Sequence, residues 1–192
     1  MTSLDDLPLR DDLRGKQPYG APMNPVAYAL NVNENTHPIP ASVRASIVEA
    51  LAQALESINR YPDREFTDLR EALARYANST HDGVPLDAAM VWAANGSNEV
   101  LQHALQAFGG PGRSVLGFPP TYSMHSIIAE STGTKWVSGM RGDDFELSPE
   151  IVSEAIKRLD PDVVFLCTPN NPTGAAISLE IIEAAYEASR GM

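Results

Sequence analysis

The chain has 192 residues, with 14 Lys+Arg against 25 Asp+Glu and a formal net charge of −11; 43% of residues are hydrophobic and 20% charged. That is globular composition, and a chain of this size can bury roughly 70% of its unfolded surface. The acidic balance argues against a nucleic-acid backbone or an anionic membrane as main partner, no stretch approaches the ~18 apolar residues of a bilayer span, and the lone Cys167 cannot form an internal disulfide, so a reducing cytoplasm is the expected location.

Residues 1 to about 40 read as an arm. Pro8, Pro18, Pro22, Pro25, Pro38 and Pro40 prevent a long helix, and only Val26 to Val32 offers a short extended piece. Ala41 to Asn59 then places Val43, Ile47, Ala50, Leu51, Ala54 and Leu55 at helical spacing, until Tyr61-Pro62-Asp63 stops it. A second helix is expected over Phe66 to Ala77, with Leu69, Leu73 and Tyr76 on one stripe.

From residue 90 strands and helices alternate. Strands are expected at Met90–Ala94, Ser114–Phe118, Lys135–Ser138 and Asp162–Thr168; helices at Asn98–Phe108, Tyr122–Ser131, from Pro149 to Leu159, and Ser178–Ala188. Ser148 caps the third of these helices in an imperfect capping box, with Ile151 where Glu or Gln would stand. Such alternation predicts an α/β fold: a mainly parallel sheet flanked by helices. Gly191, just past the last helix, announces a further strand.

Four segments could carry chemistry. Thr168-Pro169-Asn170-Asn171-Pro172-Thr173-Gly174 follows an apolar strand, where open α/β sheets bind ligands, although the same residues also make an ordinary turn. Ala94-Asn95-Gly96-Ser97-Asn98-Glu99 opens a helix, where free N–H groups and the helix dipole suit a phosphate; the bland alternative is a helix start capped by Ser97. Phe118-Pro119-Pro120-Thr121-Tyr122 puts an aromatic ring at the same sheet edge, unless Tyr122 is a core residue. Arg60-Tyr61-Pro62-Asp63 either presents Tyr61 outward or simply ends a helix. His37, His81, His103 and His125 have no metal-ligand spacing, no nucleophile elbow is present, and Cys167 in its apolar strand reads as a packing residue.

Taken together, Tyr61-Pro62-Asp63, Gly96-Ser97-Asn98-Glu99, Pro120-Thr121-Tyr122 and Asn170-Asn171-Pro172-Thr173-Gly174 resemble the fold-type-I pyridoxal-phosphate aminotransferases. Within them Leu7-Pro8-Leu9-Arg10, Gly15 to Gly20 with Pro18-Tyr19, Leu30-Asn31-Val32-Asn33-Glu34-Asn35 and Trp92 to Glu99 are similar to the histidinol-phosphate aminotransferases of actinobacterial type. The resemblance implies transamination between histidinol phosphate and 2-oxoglutarate in histidine biosynthesis, with pyridoxal 5'-phosphate as cofactor. Relatives acting on aromatic amino acids or decarboxylating phosphothreonine share the fold and stay open, as does a non-catalytic interaction module.

It also implies roles. Ser97 and Asn98 should meet the cofactor phosphate, Tyr122 should stack on its ring, and Asn171 should hydrogen-bond the ring hydroxyl oxygen. Tyr61 should reach the cofactor phosphate of a second subunit in a homodimer, and Tyr19 and Asn31 should border the substrate. Residues 1–40 would form an arm contributing to the small domain and the substrate site, and residues 41–192 the first part of the cofactor-binding large domain. The cofactor-binding lysine and the Asp partner of the pyridinium nitrogen belong to stretches that this sequence lacks. Its lysines, Lys16, Lys135 and Lys157, stand in other contexts, so the 192 residues alone are not expected to catalyse the reaction. The Asn171–Pro172 bond is expected to be cis, with Pro119–Pro120 a second candidate.

Overall fold

A computed structural model of the chain describes residues 6–16, 20, 25–28, 31–80 and 82–190. In the unit Asp63–Met192, three strands, β1 (Ser114–Gly117), β2 (Lys135–Ser138) and β3 (Val163–Val164), form a parallel sheet in the order β2-β1-β3. Ser114 pairs with Lys135 and Val115 with Val163, and the ladder continues past β3 where the Phe165 N–H donates to the Leu116 carbonyl at 2.8 Å. At the amino end Asp162 clasps β1: its carboxylate accepts from the Ser114 N–H at 2.8 Å and its own N–H donates to the Ser114 carbonyl at 3.1 Å.

Helices cover both faces, which is why Val115 and Leu116, consecutive on β1, are both apolar and fully buried. The unit contains α2 (Thr67–Asn78), α3 (Gly96–Phe108), α4 (Met124–Ser131), α5 (Pro149–Leu159) and α6 (Leu179–Ser189); α1 (Ala41–Leu55) lies in the other unit, Met1–Pro62. Val115 packs with Leu105, Ile128 and Ala129 of α3 and α4. Its neighbour Leu116 packs on the opposite face, with Val152 and Ile156 of α5 and Ile181 and Ala185 of α6. Phe118, two residues further, joins Leu116, as the strand period of two requires. Each fully buried side chain of this kind stabilises by about 1.5–3 kcal/mol. Gly117 is fixed by close approach: the Trp136 indole lies where a Cβ would stand.

The connection from β1 to β2 passes through α4, and that from β2 to β3 returns across β1 through α5. Right-handed crossovers running in opposite directions place their helices on opposite faces, as observed. In open α/β sheets this is where a ligand crevice is expected, between the carboxyl ends of β1 and β3, where one loop turns to the α4 face and the other to the α6 face.

Several expected boundaries move. No strand forms over Met90–Ala94. Ala88–Met90 is a 3₁₀ turn, and Val91 is extended but pairs with no strand among the described residues. Instead Arg70 Nε donates to the carbonyls of Ala88 and Val91, at 2.9 and 2.8 Å. The strand expected over Asp162–Thr168 is Val163–Val164 alone, paired on one side only. The first helix ends at Leu55 rather than Asn59, and the described part of Val26–Val32 forms no strand. In α1 no residue is buried, and Tyr61 beyond it is fully exposed.

Candidate functional site

Two loops meet at the crevice. The first leaves β1 through Phe118 to Tyr122, the second leaves β3 through Thr168 to Gly174. Both turn sharply, and the Pro119–Pro120, Thr168–Pro169 and Asn171–Pro172 bonds are all cis, the second of these beyond the sequence expectation. Asn170 joins the loops: its side chain donates to the Pro120 carbonyl at 2.9 Å and accepts from the Thr121 hydroxyl at 3.0 Å. Tyr122 and Asn171 each stand next to a member of this link. The structure thus brings together the two sequence motifs that lie about 50 residues apart in the chain.

Tyr122 is half-buried. Its ring meets His125 edge-on, with centroids 5.6 Å apart and planes at 90°, and His125 in turn rests on Phe165 at 5.2 Å. His125 is 7% exposed, its Nδ1 has no hydrogen-bond partner among the described residues, and burial pushes its imidazole below the ordinary pKa of 6.5. A neutral imidazole therefore abuts Tyr122 edge-on. The side-chain amide of Asn171 makes no hydrogen bond within the described residues, in contrast to its neighbour Asn170.

Ser97 and Asn98 belong to the first turn of α3. α3 leads into β1 and packs on it through Leu105 beside Val115, so its N-terminus points toward the carboxyl end of the sheet. Gly96 turns the chain into the helix at φ 77°, a left-handed conformation that favours glycine. The Ser97 cap expected as the plain alternative does not form. Asn95 is the N-cap residue and its side chain bonds no helix N–H; Glu99 instead reaches back to accept from the Asn95 N–H at 2.6 Å. The leading N–H groups of α3 are therefore left for an outside acceptor, with the positive end of the helix dipole behind them. The Asn98 Oδ1 is buried and unpartnered among the described residues.

Tyr61 and Asn31 lie in the unit Met1–Pro62, both exposed, and Tyr19 lies outside the described residues. Asp63, beside Tyr61 in sequence, caps α2: its carboxylate accepts from the Thr67 N–H at 2.7 Å and the Glu65 N–H at 3.0 Å, which holds it below the usual carboxylate range. Lys135 opens β2 at the amino end of the sheet, away from the crevice, and Lys157 is exposed on α5.

Three residues carry roles that the sequence does not announce. Arg141 donates from Nε to the Phe118 carbonyl at 2.8 Å, bracing the exit of β1, and burial lowers its pKa. Trp92 donates to His103 Nδ1 at 3.2 Å in a cavity of about 450 Å³ beside the start of α3. Asn170 was one of two adjacent amides with nothing local to distinguish them. All three act through partners 11 to 50 residues distant, which no local spacing reveals.

With this geometry in hand, likeness to known proteins is informative. A profile of aminotransferase class I and II matches residues 27–191. The chain belongs to this family. It is 57% identical over 185 residues to histidinol-phosphate aminotransferase of Paenarthrobacter aurescens, a match covering 96% of this chain and 48% of that protein. It therefore spans about half the length of the curated relatives it matches. Among solved structures, a putative histidinol-phosphate aminotransferase from Erwinia carotovora atroseptica superposes with TM-score 0.66 at 24% identity, covering 83% of this chain and 43% of that one, which supports the fold. Histidinol-phosphate aminotransferase from Sinorhizobium meliloti, in complex with pyridoxal-5'-phosphate, gives TM-score 0.61 at 25% identity, over 74% of this chain and 37% of that one. No helix among the described residues is long and apolar enough to cross a membrane.

Proposed function

We propose that the chain supplies the cofactor crevice of a pyridoxal-phosphate enzyme that transfers the amino group of histidinol phosphate to 2-oxoglutarate, working in the cytoplasm as a homodimer. The 57% identity to the Paenarthrobacter aurescens enzyme over nearly the whole chain carries the substrate assignment. The residues at the crevice suit the cofactor: an uncapped helix start, a half-buried aromatic ring and an amide with unused hydrogen-bonding capacity stand at one end of one sheet. The cofactor, when bound, supplies the electron sink for the reaction.

The chain's own residues bind and orient. The N–H groups at Ser97 and Asn98 hold the phosphate dianion, which the α3 dipole also favours. Tyr122 would stack on the cofactor ring, with His125 meeting the tyrosine edge-on from the protein side. Asn171 donates to the ring oxygen and so holds negative charge there. Tyr61, exposed beyond α1, reaches the phosphate bound by a second subunit, and Tyr19 and Asn31 border the substrate from the arm of residues 1–40. Neither Lys135 at the start of β2 nor Lys157 on α5 stands with these residues.

The test is a steady-state assay of the complete gene product with histidinol phosphate, phenylalanine and phosphothreonine. The highest kcat/KM is expected with histidinol phosphate as amino donor. Preference for phenylalanine, or carbon dioxide release from phosphothreonine, would replace this reading with one of the related activities.

A further inference from the structure

Asn170 is 2% exposed, and every hydrogen-bonding group of its side chain is used. Its Nδ2 donates to the Pro120 carbonyl and to the Thr173 hydroxyl, both at 2.9 Å, while its Oδ1 accepts from Thr121 Oγ1 at 3.0 Å. Its backbone is closed as well: the N–H donates to the Ala175 carbonyl at 2.7 Å, and its carbonyl accepts from the Gly174 N–H at 2.6 Å. A primary amide has two donors and one oxygen, and here all three are used across two loops.

We propose that Asn170 is the positioning residue that sets the ring of Tyr122 and the amide of Asn171 relative to each other, acting on the cofactor only through them. The inference rests on the functional reading above for what those two residues touch. The chemistry at 170 is specific. Pro120 offers a carbonyl, which cannot donate, so a carboxylate at 170 would set two acceptors against each other. A shorter side chain leaves that carbonyl and Thr121 without partners, and a longer one does not fit a buried site. The two adjacent amides therefore divide the work. Asn170 faces inward and ties the loop from β3 to the loop from β1; Asn171 keeps its amide for the ligand. Thr121 precedes Tyr122 directly, so its bond to Asn170 holds the backbone from which the ring projects.

The experiment measures pyridoxal 5'-phosphate dissociation constants and the visible band of the bound cofactor in the complete protein, for N170D, N171A and the double variant, alongside unfolding midpoints. N171A is expected to bind the cofactor about tenfold more weakly by losing a direct contact. N170D is expected to weaken it by a similar factor and to shift the band, while the double variant is weakened by less than the product of the two single losses, because part of what Asn170 does passes through Asn171. An unchanged dissociation constant in N171A would overturn the functional reading itself. A normal N171A response with N170D at wild-type affinity, or with strictly multiplicative losses in the double variant, would overturn the positioning role. Should N170D fail to fold, Thr121→Val removes one hydrogen bond of the same link without altering side-chain size. It must then weaken binding several-fold and less than multiplicatively with N171A; no effect, or a multiplicative one, refutes the proposal.

Discussion

Helices α1 and α5 carry the same kind of signal and meet different fates. Both place apolar residues at helical spacing. In α5, Val152, Ala155 and Ile156 are buried against β1 and α6. In α1, Val43, Ile47 and Leu51 remain 48%, 51% and 53% exposed. The ends differ too: Ser148 caps α5 by accepting from the Ile151 N–H at 3.2 Å, whereas Pro40 gives α1 no side-chain cap. Periodicity states which face of a helix is apolar. Burial depends on another element arriving to cover it, and for α5 that element is the sheet.

The contrast can be broken by mutation. Ile156→Ala removes a fully buried side chain and should cost about 2–5 kcal/mol in urea unfolding. Ile47→Ala in α1 should change stability by no more than about 0.5 kcal/mol. Comparable losses at the two positions would mean that the α1 face is covered in solution. Between these lies Ser148→Ala, expected to cost about 1 kcal/mol through the lost cap of α5.

Acid sharpens the comparison from the sheet side. His125 is kept neutral by burial, so its folded pKa lies below the ordinary 6.5, and the unfolded chain takes up the proton first. Its contribution is complete above about pH 6.5 and falls as the pH drops below that value toward the folded pKa. Asp63, Glu150 and Glu180 have lowered pKa values as well, but their contributions fade only near and below pH 4. The midpoint of unfolding should therefore decline between pH 7 and 5.5, and His125→Phe should flatten that decline. The smallest effect on stability is expected at Tyr61, which touches nothing that Phe would lose. Tyr61→Phe should leave unfolding unchanged while weakening cofactor binding in the assembled protein about tenfold, read by cofactor fluorescence.

How much of this was legible in the sequence follows from the range of the forces involved. β2 was read with its observed limits, because Lys135 to Ser138 is set off by Gly133 and Gly139. The Tyr122 and Asn171 motifs were placed correctly at strand ends, since turn residues announce such positions locally. Met90–Ala94 forms no strand because an apolar run becomes one only beside a partner, and here the Val91 carbonyl is taken up by Arg70 instead. The plain alternative for Ser97, a helix cap, rests on how often serine is one, yet the turn at Gly96 puts the cap position at Asn95. The burial of Asn170 escaped notice because its partners on the other loop lie 49 and 50 residues away.

The central claim is that the crevice between the carboxyl ends of β1 and β3 holds the cofactor ring against Tyr122. The most direct test is a fluorescence titration of the complete protein with pyridoxal 5'-phosphate, wild type against Tyr122→Ala. Loss of a stacked aromatic face should raise the dissociation constant about tenfold while the unfolding midpoint without cofactor stays within the range of a half-buried substitution. Equal affinities in the two proteins would contradict the account.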